Sequence, residues 1–572
     1  MSQPTQLSTN TAVAKPTVTF GVCAAGDPRI DQASRDRTAN IVRIIADIIA
    51  RDVRLPDGSA TNVVYSTLLI DGETQADIVG RQFRDANVDA VVCTPDTWAF
   101  PQLSLMSLMA HLPKDTPLNI TCGNSAPKPG VVFAHAVNGA FAQSGRLAAL
   151  NVGSWPDEGQ NPQPTPETIT ALVDWCYAAL TYTGLKGRRI VIFGHDSMGM
   201  ETALAHVPQT RNAFGLEITR LDMKLLSDLL NKKAYDAKEL AALVKWVKDG
   251  IGDGIDLSRP NADAALEQSL AMYLIMRDLL NDYNAVGGGF MNQLEWGSDK
   301  RGICLPVCDM AESLFNSTFD HNGPKPALPF ATEADVQGAL TMLFFTWLSS
   351  GQPPLFMDFR KVWEPHELCR VAREVGVTPS DKDLWATRGI VDGDNSGSAS
   401  LNWAGLPGDK PEDLLRRLYM PAAEPNYFPG GGNSVHFISP GGIEGIAGRM
   451  AYSTLSGMWS LVWDEACTVD LPEPLAQRIA NFSNIEWPHT WVVPRYATMA
   501  EYKQYAPANH FHMTWNLPVA RVQHWMDLTH TLSVNPWAAR PAFIEGADRP
   551  IPLLYLLNGG ENESKRLLAR GK

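Results

Sequence analysis

Cysteine is scarce: eight in 572 residues, too few for a disulfide scaffold. Cys304 and Cys308 stand at Cys-x3-Cys spacing, but no second Cys/His pair follows at the spacing of a zinc site, so both read as ordinary thiols. Long apolar runs are missing. The longest, Ala339 to Leu348, falls far short of the ~20 residues that cross a bilayer and reads as a buried helix. The N-terminal MSQPTQLSTNTAVAKP lacks the basic-then-apolar signature of a secretion signal, which predicts a cytoplasmic protein. Basic residues are outnumbered, 48 Lys and Arg against 62 Asp and Glu, for a formal net charge of −14. Phosphate backbones and anionic lipid repel such a chain, so the expected partner is a small molecule, not nucleic acid or a membrane. There is no Gly-x-Gly-x-x-Gly fingerprint and no Walker A loop, which argues against a dehydrogenase. No internal repeat is evident either.

What is present is an ordinary globular composition, 45% apolar and 19% charged, which excludes a disordered chain. Residues 1–16 read as a disordered tail. Beyond them strands and helices alternate: Thr17–Val22, Val63–Ile70, Val88–Thr94, Pro117–Cys122 and Leu147–Val152 as strands, with helices over Ala39–Ala50 and Gln75–Ala86. Alternation at these lengths implies βαβ units and a mostly parallel sheet. The stretch WPDEGQNPQPTP (Trp155–Pro166) marks a boundary. A second α/β unit begins with the strand Arg188–Phe193, followed by a helix near Met198–His206, a strand at Leu216–Leu221, a long helical region over Met223–Asp249 and a helix over Ala264–Leu280. After Ser350 the pattern changes. Gly, Pro, Asn and Trp become dense and helical periodicity weakens, so this part reads as mainly β. The fold class is therefore α/β: two Rossmann-like parallel α/β lobes, 17–164 and 165–350, followed by a mainly β C-terminal domain, 351–572.

Three stretches invite chemistry. GHDSMG (Gly194–Gly199) lies after a strand, where a nucleophile elbow would sit, but His195 occupies the place of the first glycine in Gly-x-Ser-x-Gly. A polar turn is the better reading of Ser197 than a hydrolase nucleophile. In Ala331–Arg360, Thr332 and Asp335 resemble a capping box, which puts Glu333 in the first turn of an apolar helix. Pro353-Pro354 stops that helix and Leu355–Asp358 returns as a buried strand. A helix going out and a strand coming back bring Glu333 and Asp358 to the same edge. Two such acids suit a divalent metal, an acid/base pair, or both. On these residues alone, a capping Glu and an Asp paired with Arg360 or another base is the more economical reading. Finally, His510 and His512 would share one face of a strand. Two carboxylates and one His make a hard site, better suited to Mn2+ or Mg2+ than to structural zinc.

Taken in order, FNSTFDHNG (Phe315–Gly323), ATEADVQGA, FMDFR, NSGSA (Asn395–Ala399), YFPGGGNS (Tyr427–Ser434), WPHTWVVPR (Trp487–Arg495) and ANH (Ala508–His510) resemble the L-fucose isomerase family. FGHDSMGM and LDMKLLSDLLNKKAYDAKEL in the second lobe are similar too. The resemblance implies a Mn2+ site formed by Glu333, Asp358 and His510, with Glu333 and Asp358 also the acid/base pair. It implies sugar contacts from Ser396, Tyr427, Trp491 and Asn509, and from Gln293 in GGGFMNQLEW. Arg29 in GDPRI and Trp98 match residues that a neighbouring subunit supplies, so a homo-oligomer, a hexamer with active sites shared between subunits, is implied. After His510 this chain departs from the family: FHMTWNLPVARVQHWMDLTH replaces a glycine-rich, aliphatic stretch.

The implied reaction is interconversion of L-fucose and L-fuculose, or of D-arabinose and D-ribulose, through a metal-bound enediol. The metal polarises the carbonyl, one carboxylate takes the carbon-bound proton and the other serves the oxygens. No organic cofactor is needed. Alternatives are an isomerase for another aldose such as L-arabinose, whose relatives use two Glu and two His on the metal, or a non-catalytic sugar-binding protein of the same fold. Asp358 and the intact triad disfavour both.

Overall fold

A computed structural model describes residues 17–124, 130–155, 159–195, 199–291, 303–394, 397, 399–483 and 486–534. The 1–16 segment, Ser197, Gln293 and Ser396 lie outside the described residues.

The first lobe is a five-stranded parallel sheet of β1 (Thr19–Cys23), β2 (Asn62–Tyr65), β3 (Ala90–Cys93), β4 (Leu118–Gly123) and β5 (Ala149–Gly153), in the order β2-β1-β3-β4-β5. Strands β1 and β3 are buried along their whole length, as apolar runs between two helical layers should be. The helix Gln32–Asp52 starts where Asp31 accepts a hydrogen bond from the Ser34 N–H at 2.8 Å, and it buries Ile41, Val42, Ile45, Ile48 and Ile49 on one stripe. The strand order reverses between β1 and β3, and Arg29 and Trp98 follow those two strands, at the crevice where open α/β sheets bind ligands.

The second lobe holds β6 (Arg189–Phe193), β7 (Glu217–Leu221) and β8 (Ala285–Phe290). A small hairpin follows, β9 (Phe319–Asp320) with β10 (Gly323–Pro324), and then β11 (Phe330–Thr332). Its parallel sheet runs β11-β8-β6-β7. One sequence expectation changes here. The helix expected near Met198–His206 is a single 3-10 turn, Glu201–Ala203, and the helix proper is Val207–Phe214, with Pro208 in the first turn where a missing N–H costs nothing. The helical region expected over Met223–Asp249 consists of two helices, Met223–Asn231 and Ala237–Ile251. Lys233 turns left-handed at φ 53°, and Asp236 caps the second helix by accepting from Lys238 and Glu239.

The third region is a closed antiparallel barrel of β12 (Leu355–Trp363), β13 (Ile390–Asp394), β14 (Glu444–Ser453), β15 (Met458–Thr468), β16 (His489–Pro494) and β17 (His510–Trp515). The order is β14-β17-β12-β13-β16-β15, and β14 pairs with β15 to close the ring. Closure removes every free edge from those six strands. A short strand, β18 (Leu532–Val534), adds to β15 in parallel. Two α/β lobes followed by a mainly β domain is the architecture read from the sequence. The helix Val336–Leu348 lies between lobe and barrel, touching β8 and β11 on one side and β14 and β17 on the other. That double contact explains why all of its residues are buried and why its sequence is apolar all round. No helix among the described residues is long and apolar enough to cross a membrane.

Candidate active site

Glu333 is not in the first turn of its helix. It follows β11, in the turn Thr332–Asp335, where Glu333 and Ala334 both have positive φ, 55° and 53°. The Asp335 N–H donates to the Thr332 carbonyl at 3.1 Å, closing the turn as in type I′ geometry. Two left-handed residues cannot begin a right-handed helix, so Asp335 is the N-cap and accepts from the Gly338 N–H at 2.9 Å. Side chains with a Cβ at such φ cost on the order of 1–2 kcal/mol each, which marks this turn as held by its surroundings.

Asp358 and His510 come from the barrel. They face each other as direct partners on β12 and β17. His510 Nε2 lies 3.2 Å from Asp358 Oδ1 and 3.4 Å from Glu333 Oε2, with only 1% of the His510 side chain exposed. Three side chains from two lobes of the chain thus meet at one nitrogen. On the other side of the ring, Nδ1 is 2.7 Å from Asp335 Oδ2. An ionised carboxylate only accepts, so Nδ1 carries the hydrogen and Nε2 presents its second position to Glu333 and Asp358.

The charges follow from this packing. Burial alone would lower His510, but Asp335, Asp358 and Glu333 outweigh it and hold the imidazole well above the ordinary histidine value. Burial would raise Asp335, but Arg449 and His510 hold it well below the carboxylate range. His512 is driven well below its ordinary value by burial and by Arg449, whose Nη1 lies 3.0 Å from His512 Nε2.

Strand pairing extends the row of ionisable groups beyond Asp358, to Asp394 on β13 and His489 on β16. Burial pushes the Asp394 carboxyl up to about 6 against the pull of His489 and Arg360. Arg360 Nε reaches Asp394 Oδ2 at 3.0 Å, so the base considered for Asp358 serves Asp394.

A divalent cation fits the donor set. His510 Nε2 is a buried atom without a hydrogen-bond partner, flanked by two carboxylates. Ligands at 90° around a hard cation at ~2.0–2.6 Å stand ~2.8–3.7 Å apart, which spans the 3.2 and 3.4 Å from His510 Nε2 to the two carboxylates. Among the described residues no group of three or more His, Cys, Asp or Glu is already arranged to enclose an ion, so the fit rests on these pairwise distances.

Other residues singled out in the sequence are distributed around this centre. The Asn509 amide nitrogen is 3.4 Å from Asp358 Oδ1 and 3.5 Å from Met200 Sδ. Trp491 is buried on β16 and donates from its indole nitrogen to Asp392 Oδ1 at 3.1 Å. Tyr427 lies in a turn and is 59% exposed. Arg29 and Trp98 are in the first lobe. Arg29 is 74% exposed at its side chain, is held by both Asp27 oxygens and lies 6.0 Å from the Phe100 ring centre, and Phe100 also meets Trp98 edge-on at 5.8 Å. Sequence reasoning read Asp335 only as a cap and missed Arg449, Asp392, Asp394 and His489 altogether. Asp335 could have been suspected from its place in the same stretch as Glu333. Arg449 lies in GGIEGIAGRM, where no motif stands out.

Comparison with known proteins agrees with this architecture. The model of the first N-terminal domain of L-fucose isomerase matches residues 17–187, and that of the second N-terminal domain matches residues 189–350. The L-fucose isomerase of Vibrio vulnificus is 26% identical over 503 residues, 82% of either chain. That of one strain of Streptococcus pneumoniae is 26% identical over 505 residues, 82% of this chain and 83% of its own. With both N-terminal domains matched and the relatives aligned over 82% of the chain, the chain belongs to the L-fucose isomerase family, a family of aldose–ketose isomerases.

Proposed function

We propose that this protein is a Mn2+-dependent isomerase of L-fucose, or of a sugar with similar stereochemistry such as D-arabinose, working in the cytoplasm. The observation that carries the reading is the meeting of Glu333 and Asp358 at His510 Nε2, from segments far apart in the chain. Glu333, Asp358 and His510 would hold the metal, whose contribution when bound is to polarise the sugar carbonyl.

The remaining chemistry belongs to the side chains. Converting an aldose to a ketose moves one proton from C2 to C1 and one from the O2 hydroxyl to O1, with no net change of oxidation state. A carboxylate on each side of the His510 ring edge supplies one group for the carbon-bound proton and one for the oxygens, a pairing that contributes roughly 10²–10⁴-fold. Asn509 sits beside Asp358 and is exposed, so it can both orient that carboxylate and meet a hydroxyl. Tyr427, Trp491, Ser396 and Gln293 complete the sugar contacts in this reading. Arg29 and Trp98 act across a subunit boundary in a hexamer. In support, exposed Arg29 and Phe100 and half-buried Trp98 form a cationic and aromatic cluster on the first lobe, chemistry suited to a sugar's hydroxyls and apolar face.

The test is a panel of aldoses assayed for ketose formation, with Mn2+ and after chelation. L-fucose and D-arabinose should be turned over only by the metal-loaded enzyme. Turnover of L-arabinose instead would redirect the substrate, and no turnover of any aldose by Mn2+-loaded protein would refute the reading.

A further inference from the structure

Arg449, on β14, is a guanidinium with 1% of its side chain exposed, in a part of the sequence that no motif touches. A buried charge of this kind is costly unless it is paired, and a buried ion pair is weak evidence of a stabilising purpose. Its partners are therefore informative. Nη1 bonds Asp335 Oδ2 and lies 3.0 Å from His512 Nε2, while Nη2 donates to Asp335 Oδ1 at 2.9 Å and to the Thr202 carbonyl at 2.7 Å. The guanidinium thus grips Asp335 with both arms and is itself fixed by a neighbouring loop and by β17.

Asp335 has four donors on its two oxygens. Oδ1 takes Gly338 N–H and Arg449, and Oδ2 takes Arg449 and His510 Nδ1. Three of those donors come from fixed elements: the helix start and a barrel strand. The fourth is the ring whose opposite nitrogen faces Glu333 and Asp358. With every lone-pair direction of the carboxylate in use, the His510 ring has one orientation and one tautomer in which Nδ1 donates. A carboxylate behind a metal-binding histidine sets both ring orientation and ligand basicity.

We propose that Arg449 is a positioning residue of the candidate metal centre, acting through Asp335 to hold His510 Nε2 toward Glu333 and Asp358. The inference rests on the reading of those three residues as metal ligands. It adds a residue from a different strand, over a hundred positions from Asp335, to the groups on which metal affinity depends.

The test uses the full-length protein, stripped of metal with a chelator and titrated with Mn2+ by calorimetry, with circular dichroism to establish the fold. Arg449→Lys keeps the charge but cannot hold both Asp335 oxygens in a planar fork. Asp335→Asn is isosteric but turns an amide donor toward groups that themselves donate. Each variant should keep the fold while its Mn2+ dissociation constant rises about 10–100-fold. The double variant should lose no more than the worse single one, because the two residues act in series. Wild-type Mn2+ affinity in either folded variant, or additive losses in the double one, overturns the inference. So does loss of the fold in both, since the network would then serve the scaffold and not the site. His510→Ala separates the two levels. If it binds Mn2+ as tightly as wild type, the metal reading itself fails. If it loses Mn2+ while Arg449→Lys and Asp335→Asn keep it, only the positioning inference fails.

Discussion

Asp358 and His510 are direct cross-strand partners on β12 and β17, with Asp358 Oδ1 3.2 Å from His510 Nε2. Strand register therefore decides whether these two residues meet at all. A slip of one residue would send one of them to the opposite face of the sheet. The neighbouring pairs Met357–Phe511 and Leu355–Met513, all apolar and buried, lock that register. The chemistry depends on packing several residues away from it.

The two histidines of β17 should behave differently. His510→Ala removes the nitrogen between Glu333 and Asp358 and should abolish both Mn2+ binding and turnover. His512 faces Arg449 and Phe356, so His512→Ala should cost stability, ~2–3 kcal/mol for the cavity and the lost contact, while Mn2+ affinity stays within a few-fold of wild type. Thermal melts and Mn2+ titrations of both variants check this, and equal metal loss in the two would contradict it.

Metal uptake should depend on pH in a defined direction. The His510 value in the folded, metal-free protein lies well above 6.5, against the pull of burial, because of Asp335, Asp358 and Glu333. The stability this proton contributes is complete below pH 6.5 and is lost as pH rises through the folded value. A metal must displace the same proton from Nε2. The melting temperature of metal-free protein should therefore fall as pH rises through that range, while the increase produced by a fixed concentration of Mn2+ grows. A metal-induced shift independent of pH would show that His510 is not the ligand.

Glu333→Gln keeps the shape and one oxygen but removes the basic group. It should retain the fold and part of its Mn2+ affinity while losing at least about 100-fold in turnover, the lower end of acid–base contributions. Exchange of the substrate's C1/C2 hydrogen with solvent deuterium, followed by NMR, should stop as well. Near-normal turnover would make Glu333 only a turn residue.

The turn itself makes a separate prediction. Ala334 has φ 53°, a conformation glycine adopts without penalty. Ala334→Gly should stabilise the protein by up to about 1 kcal/mol, the relieved strain less the extra chain entropy. The same change at a right-handed helical position would destabilise it. A lower melting temperature would mean that the Ala334 methyl, buried in the core, matters more than its backbone.

If Arg29 reaches a neighbouring subunit's site, inactive Arg29→Ala and Glu333→Gln proteins should recover activity when their subunits are exchanged, because some sites combine two intact halves. Sedimentation should show a hexamer. An active monomer would contradict the shared site.

Much of this protein was legible locally. The strand read as Thr17–Val22 and the helix read as Ala39–Ala50 are found at Thr19–Cys23 and Gln32–Asp52. An apolar run and a helical stripe declare them, because each buries its own side chains against the nearest layer, while the polar start of the helix, residues 32–38, carries no such stripe. The reversal between the helix Val336–Leu348 and β12 could be read from Pro353-Pro354, and with it the shared edge of Glu333 and Asp358. The sequence by itself thus determined the lobes, the order of elements and the residue types able to hold a metal. It did not show that Glu333 sits in a left-handed turn, because Thr332 and Asp335 carry the same letters as a capping box and only the pairing of β11 with β8 decides which is made. The pairing of β14 with β17 that completes the barrel, the row Asp358–Asp394–His489 and the grip of Arg449 on Asp335 were decided by tertiary structure alone. The last two join residues dozens to more than a hundred positions apart. Local periodicity carries no information about such pairs; they form because a buried guanidinium and a buried carboxylate are costly unless they are paired.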